Sequence, residues 1–447
     1  MLLINSLPRF RRARIALADF AKRESWSRSE IEAYQLERIN SLWTAAISDS
    51  PYYRRLQLER NLPTRFEDLE EFRENVPVLS KDKVRSEPKD ILSNKPEHGE
   101  WHYTSGSSGA RTGIYRSTSV HRKLIQGRYR FNQIWDVDFL DRWAYLWGNA
   151  EGLAPGWKGM QARITTPFKD WLRNRLRIAP YDLRPETLRG HLAKIAAYKP
   201  VAIYTHSKTA HLLALEAEKI GFEAPYLKLV VMTAEPVRDE YIQDVERAFN
   251  TNAVSEYGSI ECGFIAGQIR DRTLRVREDN VMVETLPRMD GRYDIAVTLL
   301  EESSFPLIRY KIGDVTDAPL TTPSEGFAIL HNISGRDFDL IVTGSGALLH
   351  AQIFEDILDK FNGIRLWRMQ QNSQGNVRVQ LVCIDHFEPE AISQIQNRFL
   401  SLMEGYEVSV EIVSHIEATS SGKHRTVISE LGAQIVRSPA VAGSAAQ

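Results

Sequence analysis

The chain has 447 residues, with 57 Lys+Arg against 58 Asp+Glu and a formal net charge of -1. That length implies two or three domains, each able to bury its own core, and 43% hydrophobic with 26% charged residues is ordinary for a globular protein. Near-neutrality argues against a nucleic-acid protein reliant on a strong basic field, and two cysteines exclude a disulfide-built fold or a cysteine-rich zinc module.

Leu2, Leu3 and Ile4 precede Arg9, Arg11, Arg12 and Arg14, the reverse of a signal peptide's order. This cluster is read as the solvated face of a docked helix in preference to a membrane-surface helix. From Arg28 to Ser48, apolar Ile31, Tyr34, Leu36, Ile39, Leu42 and Ala45 recur at helical spacing, and Ser50-Pro51 breaks the pattern. The first hundred residues read as helices throughout. Strand-like Val201–Tyr204, helical Ala210–Ile220, strand-like Leu227–Met232 and helical Pro236–Phe249 then alternate, the order of a parallel sheet with crossover helices. No apolar run approaches the roughly 18–20 residues of a membrane span. A cytoplasmic enzyme is expected.

After about Asp279 the pattern is β-rich, with strands expected at Val281–Thr285, Tyr293–Leu299 and Ala328–Leu330. A boundary near Gly335 divides an α/β unit of residues 1–335 from a small α+β unit of residues 336–437, built from Ile353–Phe361, Val377–Ile384, Pro389–Met403 and Val408–Val413. Small residues from Ser438 to Gln447 suggest a disordered tail.

Several short segments carry chemistry. Thr104-Ser-Gly-Ser-Ser-Gly109 offers the hydroxyls of Thr104, Ser105, Ser107 and Ser108, with Gly106 and Gly109 letting backbone N–H groups approach phosphate. No Gly-Lys-Ser/Thr closes it and no clear strand precedes it, so it is not a P-loop of the nucleotide-hydrolase kind. Thr233-Ala-Glu235-Pro follows an expected strand, where ligands of parallel sheets gather. In Glu256-Tyr257-Gly258-Ser-Ile-Glu261, Gly258 permits a bend, Tyr257 offers a flat face for a base and Glu261 a carboxylate for a metal. Asp314 of Tyr310-Lys-Ile-Gly-Asp314 suits a ribose diol, and Lys423 in a Gly-flanked loop suits a phosphate. Each fragment alone also reads as a surface turn.

In their order and spacing these segments resemble the adenylate-forming ligase superfamily, in particular phenylacetate–CoA ligases and related capsule-biosynthesis ligases. The resemblance runs from Ser50-Pro-Tyr-Tyr53-Arg54, similar to "SPFYR", to Thr426. Thr104–Gly109 stands at the family's phosphate loop, Tyr257–Glu261 at "YGxTE" and Tyr310–Asp314 at "YxTGD". Gly335, Arg336 and Asp339 stand at the "GRxDD" hinge, and Lys423 at the late "GK" lysine. Three segments depart. Ala110-Arg111 replaces Lys-Pro, Ile260 replaces a threonine, and the paired aspartates become Asp337-Phe338-Asp339.

The resemblance implies ATP, Mg²⁺ and coenzyme A as cofactors or co-substrates. It places Thr104–Gly109 on the β/γ-phosphates, Glu261 on Mg²⁺, Tyr257 and Gly258 at adenine and Asp314 on ribose. Glu235 and Arg336 also contact nucleotide, Lys423 meets the α-phosphate and carboxylate oxygens, and Asp339 is the hinge of a mobile lid. The implied reaction is acyl-adenylate formation from a carboxylic acid, then transfer to coenzyme A. An amine acceptor, or a non-catalytic nucleotide-binding relative, stays open. Trp143, Trp147, Trp157 and Trp171 are candidate walls of an aromatic-acid pocket, with core packing the alternative. His206 is a candidate substrate contact, more readily read as structural, and Cys262 is read as inert. The expected partners are a small carboxylic acid and a thiol or amine acceptor, with a homodimer possible and no nucleic acid.

Overall fold

The structure, a computed structural model, describes residues 17–103, 112–147, 165–180, 183–336, 340–350, 352–358, 360–383, 387–417 and 425–431. The N-terminal arginine cluster, Thr104–Gly109, Arg111, Trp157, Asp339, Lys423 and the tail from Ser438 lie outside them, and of Arg336 only the backbone is described.

Helix α1 (Arg28–Asp49) starts at a reciprocal capping box between Ser27 and Glu30, which satisfies two free N-terminal donors. Ser50 cannot stay helical before Pro51, whose fixed φ instead opens α2 (Pro51–Arg60). The Ser50–Arg54 motif is therefore architectural. Tyr53 is buried and its hydroxyl donates to the Pro306 carbonyl at 3.0 Å, pinning α2 to the chain before a later strand. Two further helices matter below, α3 (Lys81–Ser86), capped by Ser80, and α4 (Thr118–Ile134).

Strands β1 (Gly99–Tyr103) and β2 (Gly113–Ser117) form an antiparallel hairpin whose facing ends are Tyr103 and Gly113. This corrects the sequence reading, which found no strand before the Ser/Gly segment. Gly-Glu-Trp-His-Tyr has no apolar alternation because β1 lies mostly exposed, with Trp101 packed edge-on against Tyr115 and Phe305.

β3 (Trp143–Leu146), β4 (Arg175–Ile178), β5 (Ala202–His206), β6 (Leu229–Thr233) and β7 (Asn252–Ser259) pair in parallel in the order β4-β3-β5-β6-β7. Helices α5 (Pro185–Tyr198), α6 (Ser207–Lys219) and α7 (Asp239–Phe249) supply the expected crossovers. Both faces of β5 and β6 are buried, one under these helices and the other under α4, so their sequences read as continuous apolar runs. Antiparallel β8 (Gly263–Gln268) and β9 (Leu274–Val276) extend this sheet beyond β7.

β10 (Val281–Pro287), β11 (Tyr293–Leu299) and β12 (Tyr310–Thr316) start a second, antiparallel sheet. β13 (Ile329–Leu330) returns to β9, and β14 (Ile333–Arg336) closes the second sheet against β12. Residues between Tyr34 and Leu92 pack on this sheet in one core that includes Trp43, Phe72, Val281 and Ile312. A separate core gathers residues from Ile341 onward. It joins α8 (Gln352–Leu358) and α9 (Pro389–Met403) to strands Ile364–Gln371, Val377–Cys383, Val408–Ile412 and Val427–Ser429. No helix among the described residues is long and apolar enough to cross a membrane.

Candidate active site

The junction of the two large sheets brings together two of the sequence motifs, Tyr257–Glu261 and Tyr310–Asp314. β7 ends at Ser259 and turns back into β8, with Glu261 in the turn and its side chain only 4% exposed. Gly258 is required there, because a Cβ would sit 2.3 Å from the Gly263 carbonyl oxygen. Arg116 of β2 holds the turn by donating to the carbonyls of Ile260 and Glu261. Cys262 beside it is fully buried, and burial pushes its thiol up, away from the reactive thiolate.

Lys81 Nζ at 3.0 Å and the Tyr310 hydroxyl at 3.1 Å both meet Oε1 of the Glu261 carboxylate, and the residue's own backbone N–H is a further donor to it. Burial by itself raises the Glu261 pKa, but the Lys81 ammonium and these hydrogen bonds outweigh it and hold the carboxyl below its ordinary value. Tyr310 is pushed well up, by burial first and the adjacent carboxylate second, so it stays a neutral donor. Lys81 is the residue the sequence reading missed. It stands at the start of short α3 in the charged run Lys81-Asp-Lys83, which resembles any solvated helix start. Leu79 aligns with Tyr310 in an isolated parallel bridge, and the Lys311 N–H donates to the Leu79 carbonyl at 2.9 Å. That pairing carries Lys81 to Glu261 and to the Ile312 carbonyl, 3.2 Å from its ammonium.

Four residues further along β12 the second motif appears. The Tyr257 hydroxyl donates to Asp314 Oδ2 at 2.9 Å, linking the two motifs directly. Gly313, at φ +87°, allows the irregularity that interrupts the β11–β12 register just before Asp314. The Arg336 backbone lies opposite Asp314 across β14. Arg85 of α3 donates to Thr112 at 2.9 Å, tying the base of the β1–β2 connection to the helix that supplies Lys81.

Glu235 lies in a different setting. Its carboxylate accepts from the Lys208 N–H at 3.2 Å and from the Ser207 hydroxyl at 3.4 Å, capping α6. Ala234 before it adopts φ +66°, a conformation uncommon for a non-glycine residue. Of the three described candidate tryptophans, Trp143 and Trp147 join one aromatic cluster through Tyr145 and Tyr204, and Trp171 stands apart from it. Trp143 is core with its indole donating to the Asp138 carbonyl, whereas Trp171 is 72% exposed and stacks on Phe168. Trp147 alone of the described three stacks on His206, 4.2 Å between centroids, beside the carboxyl ends of β3 and β5.

A single buried carboxylate suits Mg²⁺, which ordinarily takes one or two carboxylates and completes its shell with water and substrate phosphates. Among the described residues, no group of three or more His, Cys, Asp or Glu gathers to hold a metal. Glu261 fits a metal shared with a phosphate.

No family model matches the chain. Protein CapK of Staphylococcus aureus is 21% identical over 414 residues, 89% of this chain and 89% of CapK. A 2-hydroxyisobutyryl-CoA ligase in the postadenylation state, in complex with R3-HIB-AMP, superposes with a TM-score of 0.69 at 18% identity, over 92% of this chain and 91% of that one. The same ligase with 2-HIB-AMP and CoA in the thioesterification state gives 0.60 at 17% identity, over 94% of each chain. These likenesses show a shared fold.

Proposed function

We propose that this chain, which has the fold of the AMP-forming ligases, activates a carboxylic acid with ATP to an acyl-adenylate and passes the acyl group to coenzyme A. One observation carries the reading. Glu261, Tyr310, Tyr257 and Asp314 are joined by direct hydrogen bonds at one sheet junction, and Arg116 ties that junction to the hairpin bearing the Ser/Gly segment.

In this reading Asp314 accepts from the ribose hydroxyls, Tyr257 orients Asp314 and borders the base, and Gly258 lets the backbone approach. Thr104–Gly109 surrounds the terminal phosphates, with Glu235 and Arg336 at the nucleotide's edges. Glu261 would hold Mg²⁺ together with phosphate oxygens. When bound, that ion neutralises charge on the phosphates and the departing pyrophosphate. The substrate carboxylate attacks the α-phosphorus, and pyrophosphate leaves. Lys423 faces the charge that develops on the α-phosphate and carboxylate oxygens, a contact stronger in the transition state than before it. The thiol then attacks the acyl carbon and releases AMP.

Residues 1–335 form the adenylation unit and 336–437 a lid turning at Asp339, which withdraws Lys423 between the two steps. A cytoplasmic location and a homodimer belong to the same reading. An aromatic acid finds support only at Trp147, so the acid's class rests on assay. The test is acid-dependent ATP–pyrophosphate exchange over aromatic, hydroxy, fatty and amino acids. The Lys423→Ala variant should lose roughly 10²-fold or more. Exchange at the wild-type rate in that variant contradicts the assignment.

A further inference from the structure

Glu261 differs in its counter-ion from the three more deeply buried carboxylates of the described ion pairs. Glu216, Glu256 and Asp279 have side chains 2%, 1% and 1% exposed, and each pairs with an arginine: Arg189, Arg128 and Arg277. Glu261, at 4%, pairs with a lysine whose side chain is 20% exposed. An arginine fork fixes a carboxylate permanently, whereas an ammonium on a flexible stem is a point charge that can move away. The second contact of Lys81 is an Ile312 carbonyl that holds it without needing Glu261. Arg116 cannot substitute, because its guanidinium is engaged by the backbone carbonyls of residues 260 and 261.

We propose that Lys81 is a positioning residue that occupies the cation position on Glu261 in the free protein, so that a divalent ion binds there only together with nucleotide. The inference rests on the adenylation reading and adds an order of events to it. Without phosphates, a metal must displace an ammonium already in contact with the carboxylate. With phosphates present, the ammonium gains an anionic partner, and Glu261 is released to the metal. Lys81 thereby keeps a buried carboxylate paired at every stage, avoiding the cost of an uncompensated charge.

The test uses Mn²⁺ as the probe, titrated into the full chain without nucleotide and read by electron paramagnetic resonance. Wild type should bind weakly. Lys81→Met should bind about 10-fold tighter or more, since an opposite charge within ~4–6 Å changes a carboxylate's affinity for a proton by about 10- to 10³-fold. Lys81→Arg should remain like wild type, and adding Glu261→Gln to Lys81→Met should abolish the gain. If Lys81→Met melts well below wild type, Lys81→Gln, which keeps a donor for the Ile312 carbonyl, makes the same comparison. Equal Mn²⁺ affinity in the folded wild-type and charge-removed proteins overturns the proposal, as does a gain that survives Glu261→Gln. A parallel titration with a non-hydrolysable ATP analogue isolates the underlying reading. Wild type binding Mn²⁺–nucleotide no better than Glu261→Gln would refute the metal role of Glu261 itself.

Discussion

Glu256 in β7 and Glu261 in the turn after it stand five residues apart, and both are buried against a cation and a tyrosine hydroxyl. Their pairings differ in a way that separates brace from site. Arg128 donates to Glu256 from two nitrogens, at 3.0 Å to Oε2 and 2.7 Å to Oε1, while the Tyr204 hydroxyl meets Oε1 at 2.9 Å. Both oxygens are engaged, and the Arg128 guanidinium lies 5.1 Å over the Tyr204 ring. At Glu261 the lysine and tyrosine both meet Oε1. Glu256 is built to stay as it is. Glu261 is held ionised and aimed, with a partner that can leave.

The largest expected effect breaks the brace. Glu256→Ala leaves the Arg128 charge without its partner and should cost about 3–5 kcal/mol of stability, measured by denaturant unfolding. A loss under about 1 kcal/mol would show that water replaces the carboxylate, and the contrast with Glu261 would weaken. Next comes Glu261→Gln, which keeps an acceptor for Lys81 and Tyr310 but removes the charge. Adenylation should fall roughly 10²-fold while the loss of stability stays smaller than in Glu256→Ala, the opposite weighting of the two effects.

Asp314→Ala should raise the KM for ATP with kcat nearly kept, because a ribose contact is made equally in ground and transition states. Tyr257→Phe removes only the hydrogen bond to Asp314, about 1 kcal/mol, and should raise that KM a few-fold. Unchanged ATP kinetics in Asp314→Ala would leave the Tyr257–Asp314 link as packing alone.

The smallest effect is in pH. Since the folded Glu261 carboxyl lies below its ordinary pKa, its pairing stabilises the fold fully above the unfolded value and is lost as pH falls through the lowered one. The stability difference between wild type and Glu261→Gln should therefore be flat near neutrality and close only below about pH 4. A difference that fades between about pH 6 and 8 would mean that some other group controls the pair.

Much of this architecture is legible without coordinates, for identifiable reasons. Helix α1 shows its apolar spacing and its Ser50-Pro51 end, and β5 and β6 read as buried runs because both their faces are covered. Strand Ile364–Gln371 escapes notice because Arg365, Arg368 and Gln370 interrupt its apolar positions. Tyr257, Glu261, Tyr310 and Asp314 are found in sequence and meet in space. Lys81 is invisible because its role depends on the Leu79–Tyr310 bridge, a contact between segments more than 200 residues apart. Trp171 departs from the cluster that Trp143 and Trp147 share because nearness along the chain says nothing about which side of a sheet or surface a ring takes.

The most direct test of the account is acid-dependent ATP–pyrophosphate exchange, measured side by side in wild type, Glu261→Gln and Glu256→Gln, each normalised to its folded fraction. The account predicts exchange in wild type, about a 10²-fold loss in Glu261→Gln and near-wild-type exchange per folded molecule in Glu256→Gln. Equal losses in both variants, or full exchange in Glu261→Gln, would contradict it.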